Sequence, residues 1–154
     1  MKLYQGMAAG IAALTLALPV PAHANSIGRS GTGAEKLRKL DIMLMVTSLR
    51  CRTTADNFQA DYAQFSANHL ADLNAANRAL KAELTAQYGS AGVDRALDRL
   101  SVTMANTYGQ GHPWLDCHEL KQVARSLADA HGMAPLEEAA AELLDGDHLA
   151  MRGH

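Results

Sequence analysis

The sequence lacks the motifs that most directly reveal a function. A c-type haem site needs Cys-x-x-Cys-His, and Trp114 stands at the first cysteine position before Cys117 and His118. Gly109 and Gly111 lack the third glycine of a dinucleotide-binding loop and follow a predicted helix, whereas that loop follows a strand. Basic residues are not in excess, since 14 Lys and Arg stand against 16 Asp and Glu. We therefore predict no cofactor and no nucleic-acid partner.

Only one apolar run is long, and it lies at the N-terminus. The stretch from Met7 to Leu18 is apolar or small throughout, follows Lys2 and precedes Pro19. Ala22-His23-Ala24 then has the small-x-small form that signal peptidase cuts. The run is too short to span a bilayer, which needs about 20 residues. We predict that residues 1–24 are a signal peptide cleaved after Ala24, rather than a buried core helix. The mature protein is then periplasmic or secreted, with no membrane insertion.

The remaining residues suffice for one domain with a core of its own. Residues 25–33 are rich in Gly and Ser and are predicted to be a flexible lead-in. A helical bundle is expected over residues 34–146, and residues 147–154 are expected to be a frayed tail. The short basic cluster of Lys36, Arg38 and Lys39 is balanced by Glu35 and Asp41. We interpret it as a solvated helix start.

Apolar residues recur with helical spacing along this domain, and no convincing alternating strand is present. The run from Ile42 to Leu49 is apolar on nearly every side, which predicts a helix at the centre of a bundle; a short strand is the alternative. Aromatic residues are few, so leucine and methionine must fill most of the core. The first predicted helix covers residues 34 to about 51, and the second is a long helix capped by Thr53 or Thr54 that reaches about Tyr88. A third covers residues 91–108. A fourth begins at an Asp116–Glu119 capping box, and a fifth has Pro135 in its first turn. We predict an all-α bundle of four to five helices.

The two cysteines, Cys51 and Cys117, lie at predicted helix ends, 66 positions apart. An even pair in an exported chain predicts a structural disulfide, which would staple the bundle. The alternative is a reactive thiol at Cys117, because a helix N-terminus and the neighbouring His118 favour a thiolate. We favour the disulfide.

The segment 108–119 holds the densest group of chemically able side chains. His112 and His118 could ligate a metal together with a neighbouring carboxylate, and Trp114 offers a large flat surface. The alternative is a connection between two helices in which Trp114 plugs the core. Because histidine and carboxylate at irregular spacing are a weak metal signal, we favour the connection and predict no metal site.

His69 lies on the apolar face of the long predicted helix, about one turn from Phe65 and Leu73. It could face a pocket between helices and bind a ligand. The alternative is a part-buried histidine that is satisfied by one hydrogen-bond partner. The candidate ligand-binding residues are therefore His69, His112, Trp114 and His118, and no catalytic residue is predicted.

Three stretches carry a resemblance to a known group of proteins: residues 37–51 (LRKLDIMLMVTSLRC), 57–61 (NFQAD) and 111–118 (GHPWLDCH). They resemble small exported bacterial helical proteins with two cysteines. The resemblance covers most of the mature chain and brings no mechanism. Some members of this group bear the name S-adenosyl-L-homocysteine hydrolase. The enzyme of that name is several times longer and has a strand-led NAD-binding loop, and none of its motifs lies on this chain.

Three functions are open at this point. The first is a non-enzymatic periplasmic protein that binds a partner protein or a small ligand, or has a structural role. The second is a periplasmic hydrolase-type enzyme that uses His112, His118 and Glu119. The third is an acid-responsive chaperone whose histidines become charged as the pH falls and loosen the bundle. We favour the first, because no nucleophile–base pair can be placed from the sequence.

Overall fold

The structure, a computed structural model, describes residues 32–145. Within that range it contains six α-helices and a short 3₁₀ turn, and it has no β-strand. The helices are α1 (Gly33–Arg50), α2 (Gln59–Asn68), α3 (Leu70–Tyr88), α4 (Val93–Tyr108), α5 (Cys117–Asp129) and α6 (Met133–Asp145). The predicted all-α bundle is thus confirmed. The predicted signal peptide with its cut after Ala24, most of the lead-in and the tail 147–154 lie outside the described residues.

Helix α1 lies at the centre of the bundle and packs against each of α2 to α6. Leu40 and Met43 are fully buried, and the buried hydroxyl of Thr47 donates to the Met43 carbonyl at 2.7 Å. The prediction of a central helix is confirmed with one correction. Met45 and Leu49 are exposed, so a solvent-facing stripe remains on the apolar run.

The predicted disulfide joins Cys51, directly after α1, to Cys117, the first residue of α5, with their Cα atoms 5.8 Å apart. Cys51 also begins the 3₁₀ turn Cys51–Thr53. The Thr54 hydroxyl donates to the Cys51 carbonyl at 2.8 Å. The Thr54 side chain therefore faces this 3₁₀ turn and not the start of the next helix. The predicted cap at Thr53 or Thr54 is therefore wrong. Helix α2 starts at Gln59, whose N–H donates to the side-chain oxygen of Asn57 at 3.0 Å.

The long helix predicted up to about Tyr88 is two helices, α2 and α3, that meet at His69. The His69 backbone leaves helical geometry, with φ −104° and ψ 16°. Hydrogen bonding continues through the junction, because the His69 N–H donates to Phe65 and the Leu73 N–H donates to His69. The junction is therefore a kink in one helical path.

The kink docks onto the C-terminal end of α5. The side-chain amide of Asn68 donates to the Ala128 carbonyl at 2.8 Å, and the His69 imidazole bonds the Leu127 carbonyl at 2.7 Å. Carbonyls in the last turn of a helix lack the usual i+4 partner, and these two side chains bond to them; the Leu127 carbonyl also accepts from the Ala130 N–H at 3.2 Å. Because neither glycine nor proline stands at the junction, this tertiary contact is the physical cause of the kink.

Helices α5 and α6 rest on different neighbours. Helix α5 packs mainly on α2, whereas α6 packs mainly on α1, and α5 and α6 pack little on each other. The predicted capping box opens α5, since the Asp116 carboxylate accepts from the Glu119 N–H and the Glu119 carboxylate accepts from the Asp116 N–H, both at 2.9 Å. No helix in the part of the chain that the structure describes has the length and apolar character to cross a membrane.

Candidate binding groove beside Trp114

The connection between α4 and α5 holds a tight turn at Gly111. Its backbone has φ +113°, a conformation that L side chains rarely adopt. A Cβ atom at this position would also lie 3.3 Å from Nε of Arg50, at the end of α1. Glycine is therefore required here, and the turn sets the direction in which the next residues leave the bundle.

His112 follows this turn and is buried, with 8% of its surface exposed. Its ring stacks on Tyr108, with the ring centroids 5.4 Å apart and the planes 17° apart. Its Nε2 atom lies 3.1 Å from the Leu143 carbonyl oxygen near the end of α6. Since a carbonyl can only accept, Nε2 carries the proton and donates. His112 thus ties the α4–α5 connection to α6.

Trp114 packs on the other side of this connection. Its ring meets the His112 ring in a T-shaped contact, with centroids 4.4 Å apart and planes at 84°. Trp114 nevertheless keeps 37% of its surface exposed. The interpretation of Trp114 as a core plug is therefore wrong. The ring is held in place from one side and meets solvent on another.

The exposed part of Trp114 lines a groove between α5 and α6 with a volume of about 400 Å³. Most of its lining is apolar, and polar groups stand only at Gln122, Ser126 and Glu142. The apolar lining residues are Trp114, Leu115, Val123, Leu127, Ala139 and Leu143. The groove exists because α5 packs on α2 and α6 packs on α1, which leaves the facing sides of the two helices uncovered. Its volume lies within the range of small-molecule sites, about 300–1,000 Å³.

The two buried histidines, His69 and His112, both form hydrogen bonds to backbone carbonyls of residues that line this groove. His112 donates to the carbonyl of Leu143, and His69 donates from Nε2 to the carbonyl of Leu127. Both leucines contribute side chains to the lining. His69 itself is only 2% exposed and does not line the groove. The candidate residues His69, His112 and Trp114 thus belong to one structural unit, in which Trp114 touches the groove and the histidines position its walls.

His118 and Glu119 stand apart from this unit. His118 is exposed and its Nδ1 lies 3.2 Å from a carboxylate oxygen of Asp56. The Glu119 carboxylate is occupied by the capping box, and His112 is buried against Leu143. These three residues therefore have three separate sets of partners. Within residues 32–145, no group of three or more His, Cys, Asp or Glu side chains lies together in a way that could hold a metal ion.

A second depression, of about 340 Å³, lies between α1, α3 and α4 and includes the half-exposed Tyr88. Three charged residues, Glu35, Lys39 and Arg99, take part in its lining. It is therefore less suited to an apolar molecule than the groove beside Trp114, whose lining has one charged residue.

A polar cluster that the sequence did not indicate links α1, α2 and α4. The Tyr62 hydroxyl donates to Asp41 at 3.0 Å, while the Arg38 guanidinium pairs with Asp41 and donates to Ser101. Burial raises the pKa of the Asp41 carboxyl, against the opposing effects of the Tyr62 hydrogen bond and the Arg38 charge. Burial, and then the Asp41 charge, raise the pKa of the Tyr62 phenol. The interpretation of Arg38 and Asp41 as a solvated helix start is wrong, since both are half-buried. Their i, i+3 spacing is compatible with an ion pair, but nothing in the sequence indicates that Tyr62 and Ser101 join them.

The helical spacing of apolar residues marks Val123, Leu127, Ala139 and Leu143 as inward-facing positions but does not indicate a groove between them. Leu127 and Leu143 are indeed buried, while Val123 and Ala139 are half-buried because no helix covers them from the groove side. Nothing in the periodicity distinguishes a position that packs on a neighbouring helix from one that borders a groove.

Comparison with known proteins identifies no relative. No protein-family model matches the chain, and neither the curated proteins nor the solved structures contain a match.

Proposed function

We propose that this protein is an exported, non-enzymatic binding module that takes an apolar molecule into the groove between α5 and α6. The observation that carries the proposal is Trp114, a large aromatic side chain that stays 37% exposed in an otherwise mostly aliphatic groove. Aromatic residues held in concave apolar sites are frequent anchors of binding. The predicted signal peptide and the disulfide support a location outside the cytoplasm.

The lining supports binding rather than chemistry. Ser126 and Glu142 are the only lining residues whose side chains could act as a nucleophile, an acid or a base. A serine nucleophile needs an adjacent base and a group that orients that base. Glu142 is the only lining residue that could be this base, and within residues 32–145 its carboxylate forms no hydrogen bond with Ser126 or with an orienting group. The groove is also kept in shape by two buried histidines, which is the arrangement expected of a preformed site.

The contacts of His69 support a preformed wall of the groove. Its Nε2–H donates to the Leu127 carbonyl at 2.7 Å, and its Nδ1 lies 3.6 Å from a carboxylate oxygen of Asp72. The ring is therefore held on both nitrogens.

Titration with Nile red, a neutral apolar dye that brightens in apolar surroundings, tests the proposal. The protein should bind it saturably, and Trp114→Ala should weaken binding about tenfold, as expected for loss of an aromatic anchor. Tyr88→Ala is the matched control, because Tyr88 is also an exposed aromatic but lines the other depression. Circular dichroism should show both variants to be folded. Absence of saturable binding, or wild-type affinity in Trp114→Ala, would refute the proposal.

A further inference from the structure

The groove beside Trp114 carries charge of one sign only. Among its lining residues, Glu142 is the only charged side chain, and no Lys, Arg or His side chain takes part. None of the three basic side chains on α5 lines the groove: Arg125 pairs with Asp61, His118 pairs with Asp56, and Lys121 lies outside the lining. The groove is therefore unfavourable for an anionic amphiphile such as a fatty acid, because nothing in the lining compensates its carboxylate.

The carboxylate of Glu142 has no hydrogen-bond or ion-pair partner within residues 32–145. It is an exposed residue on α6, one position before the groove-lining Leu143. A carboxylate at the edge of an apolar groove can pair with a positive group whose apolar part lies inside the groove.

Trp114 supplies a second group that attracts cations. An exposed tryptophan ring binds ammonium groups through its quadrupole, by about 0.5–1 kcal/mol at exposed sites. The T-shaped contact with His112 fixes the position of the ring and leaves more than a third of the residue open to solvent. The chain as a whole has a net charge of −2, which also favours the approach of cations.

From these observations we propose that the groove takes a small amphiphilic organic cation, with its apolar part against α5 and α6 and its positive group attracted by Glu142 and Trp114. This inference rests on the proposed function and specifies the class of ligand. An aliphatic chain fits Leu127, Ala139 and Leu143, whereas the charged group remains at the solvent side, where Glu142 and the Trp114 ring are exposed.

Three probes with alkyl chains of closely similar length test the inference at pH 7 and low salt: octyltrimethylammonium, octanol and octanoate. The two charged probes are kept below their micelle concentrations and octanol below its solubility limit. Trp114 is the only tryptophan in the chain, so its fluorescence reports directly on the groove. The cation should bind about tenfold more tightly than octanoate, with octanol between them. Because ion pairs at a surface are screened by salt, the difference should shrink as the ionic strength rises.

Two charge-matched variants locate the effect. Glu142→Gln should weaken binding of the cation about threefold and leave octanol binding unchanged. Glu137→Gln removes the same charge from α6, but Glu137 borders a different depression beside Gly33 and Ala76, so all three affinities should stay at their wild-type values.

The outcomes separate the ligand class from the groove itself. If octanol binds saturably but the cation binds no better than octanoate, or if Glu142→Gln behaves like Glu137→Gln, the cation inference is overturned and the apolar groove stands. If none of the three probes changes the Trp114 fluorescence saturably, both the inference and the proposed function are overturned.

Discussion

Loss of the Cys51–Cys117 disulfide should lower the free energy of unfolding by about 4 kcal/mol. The perturbation is the double substitution Cys51→Ala with Cys117→Ala. The bridge closes a loop with a sequence separation of 66 residues. In the chain-entropy model such a loop restricts the unfolded chain by about 4 kcal/mol at 25 °C. Since a single domain is stable by roughly 5–15 kcal/mol, the bridge supplies a large share of the total.

Packing adds a smaller effect that must be separated from the cross-link. Cys51 is 2% exposed, so alanine there also removes buried sulfur contacts. Reduced wild-type protein keeps both sulfur atoms and loses only the bond. The reduced protein should therefore show most of the loss, and the double variant slightly more.

Urea unfolding followed by Trp114 fluorescence and circular dichroism measures this difference. The midpoint temperature in a thermal melt should fall by roughly 15 °C, at about 4 °C for each kcal/mol in a domain of this size. The m-value should rise, because the unfolded chain expands once the cross-link is gone. The intact mass of the untreated protein should be lower than that of the reduced protein by two hydrogen atoms.

A double variant that stays within about 1 kcal/mol of the oxidised wild type, the low end of the range known for disulfides, would contradict the expected stabilisation by the cross-link. So would a reduced wild type that keeps the full stability while the double variant loses it. In that case the sulfur packing, and not the cross-link, stabilises the fold.

Three further predictions follow from the buried polar groups. Because burial raises the pKa of Asp41, ionisation of this carboxyl costs stability. In chemical denaturation, the unfolding free energy of the wild type relative to Asp41→Asn should therefore rise as the pH falls from 7 towards about 4. A difference that does not depend on pH would contradict this. The raised pKa of Tyr62 means that its neutral phenol contributes stability below about pH 10, and this stability is lost as the pH rises further. In thermal melts, Tyr62→Phe should therefore lose less stability at alkaline pH than the wild type. An identical alkaline loss in both proteins would refute this. His69→Ala should lower the free energy of unfolding by about 3 kcal/mol, because it removes the hydrogen bond to Leu127 and leaves a cavity. His69→Gln can place a donor where Nε2 stood and should lower it by about 1 kcal/mol. Equal losses in urea unfolding would count against the role of this donor.

The helix starts and stops show how far local chemistry reaches. The Asp116–Glu119 capping box was predicted at the correct residues, because both partners lie within one turn and need no neighbour. The cap predicted at Thr53 or Thr54 failed, because Thr54 bonds back to the Cys51 carbonyl in the turn beside the disulfide. Thr54 can bond either to N–H groups of the following helix or to the carbonyl three residues before it, and the residue type alone does not decide between these two local partners.

The kink at His69 is the clearest case of a tertiary effect on secondary structure. The apolar residues on both sides keep one helical phase, and the hydrogen bonds continue through the junction, so the sequence predicts a single helix. The break arises because Asn68 and His69 turn towards the last carbonyls of α5. The same contact explains why His69 is buried without lining the groove.

The sequence by itself determined the helical class, the central position of α1, the inward faces of the other helices and the pairing of Cys51 with Cys117. These follow from the 3.6-residue period, from capping chemistry and from there being one possible pair of cysteines. Only the tertiary structure decided that α5 and α6 rest on different helices and leave a groove between them. It also decided that His112 and His69 bond the backbone of that groove while Trp114 borders it. Periodicity tells which face of a helix is buried, but which helix covers that face, and how completely, depends on contacts between residues far apart in the chain.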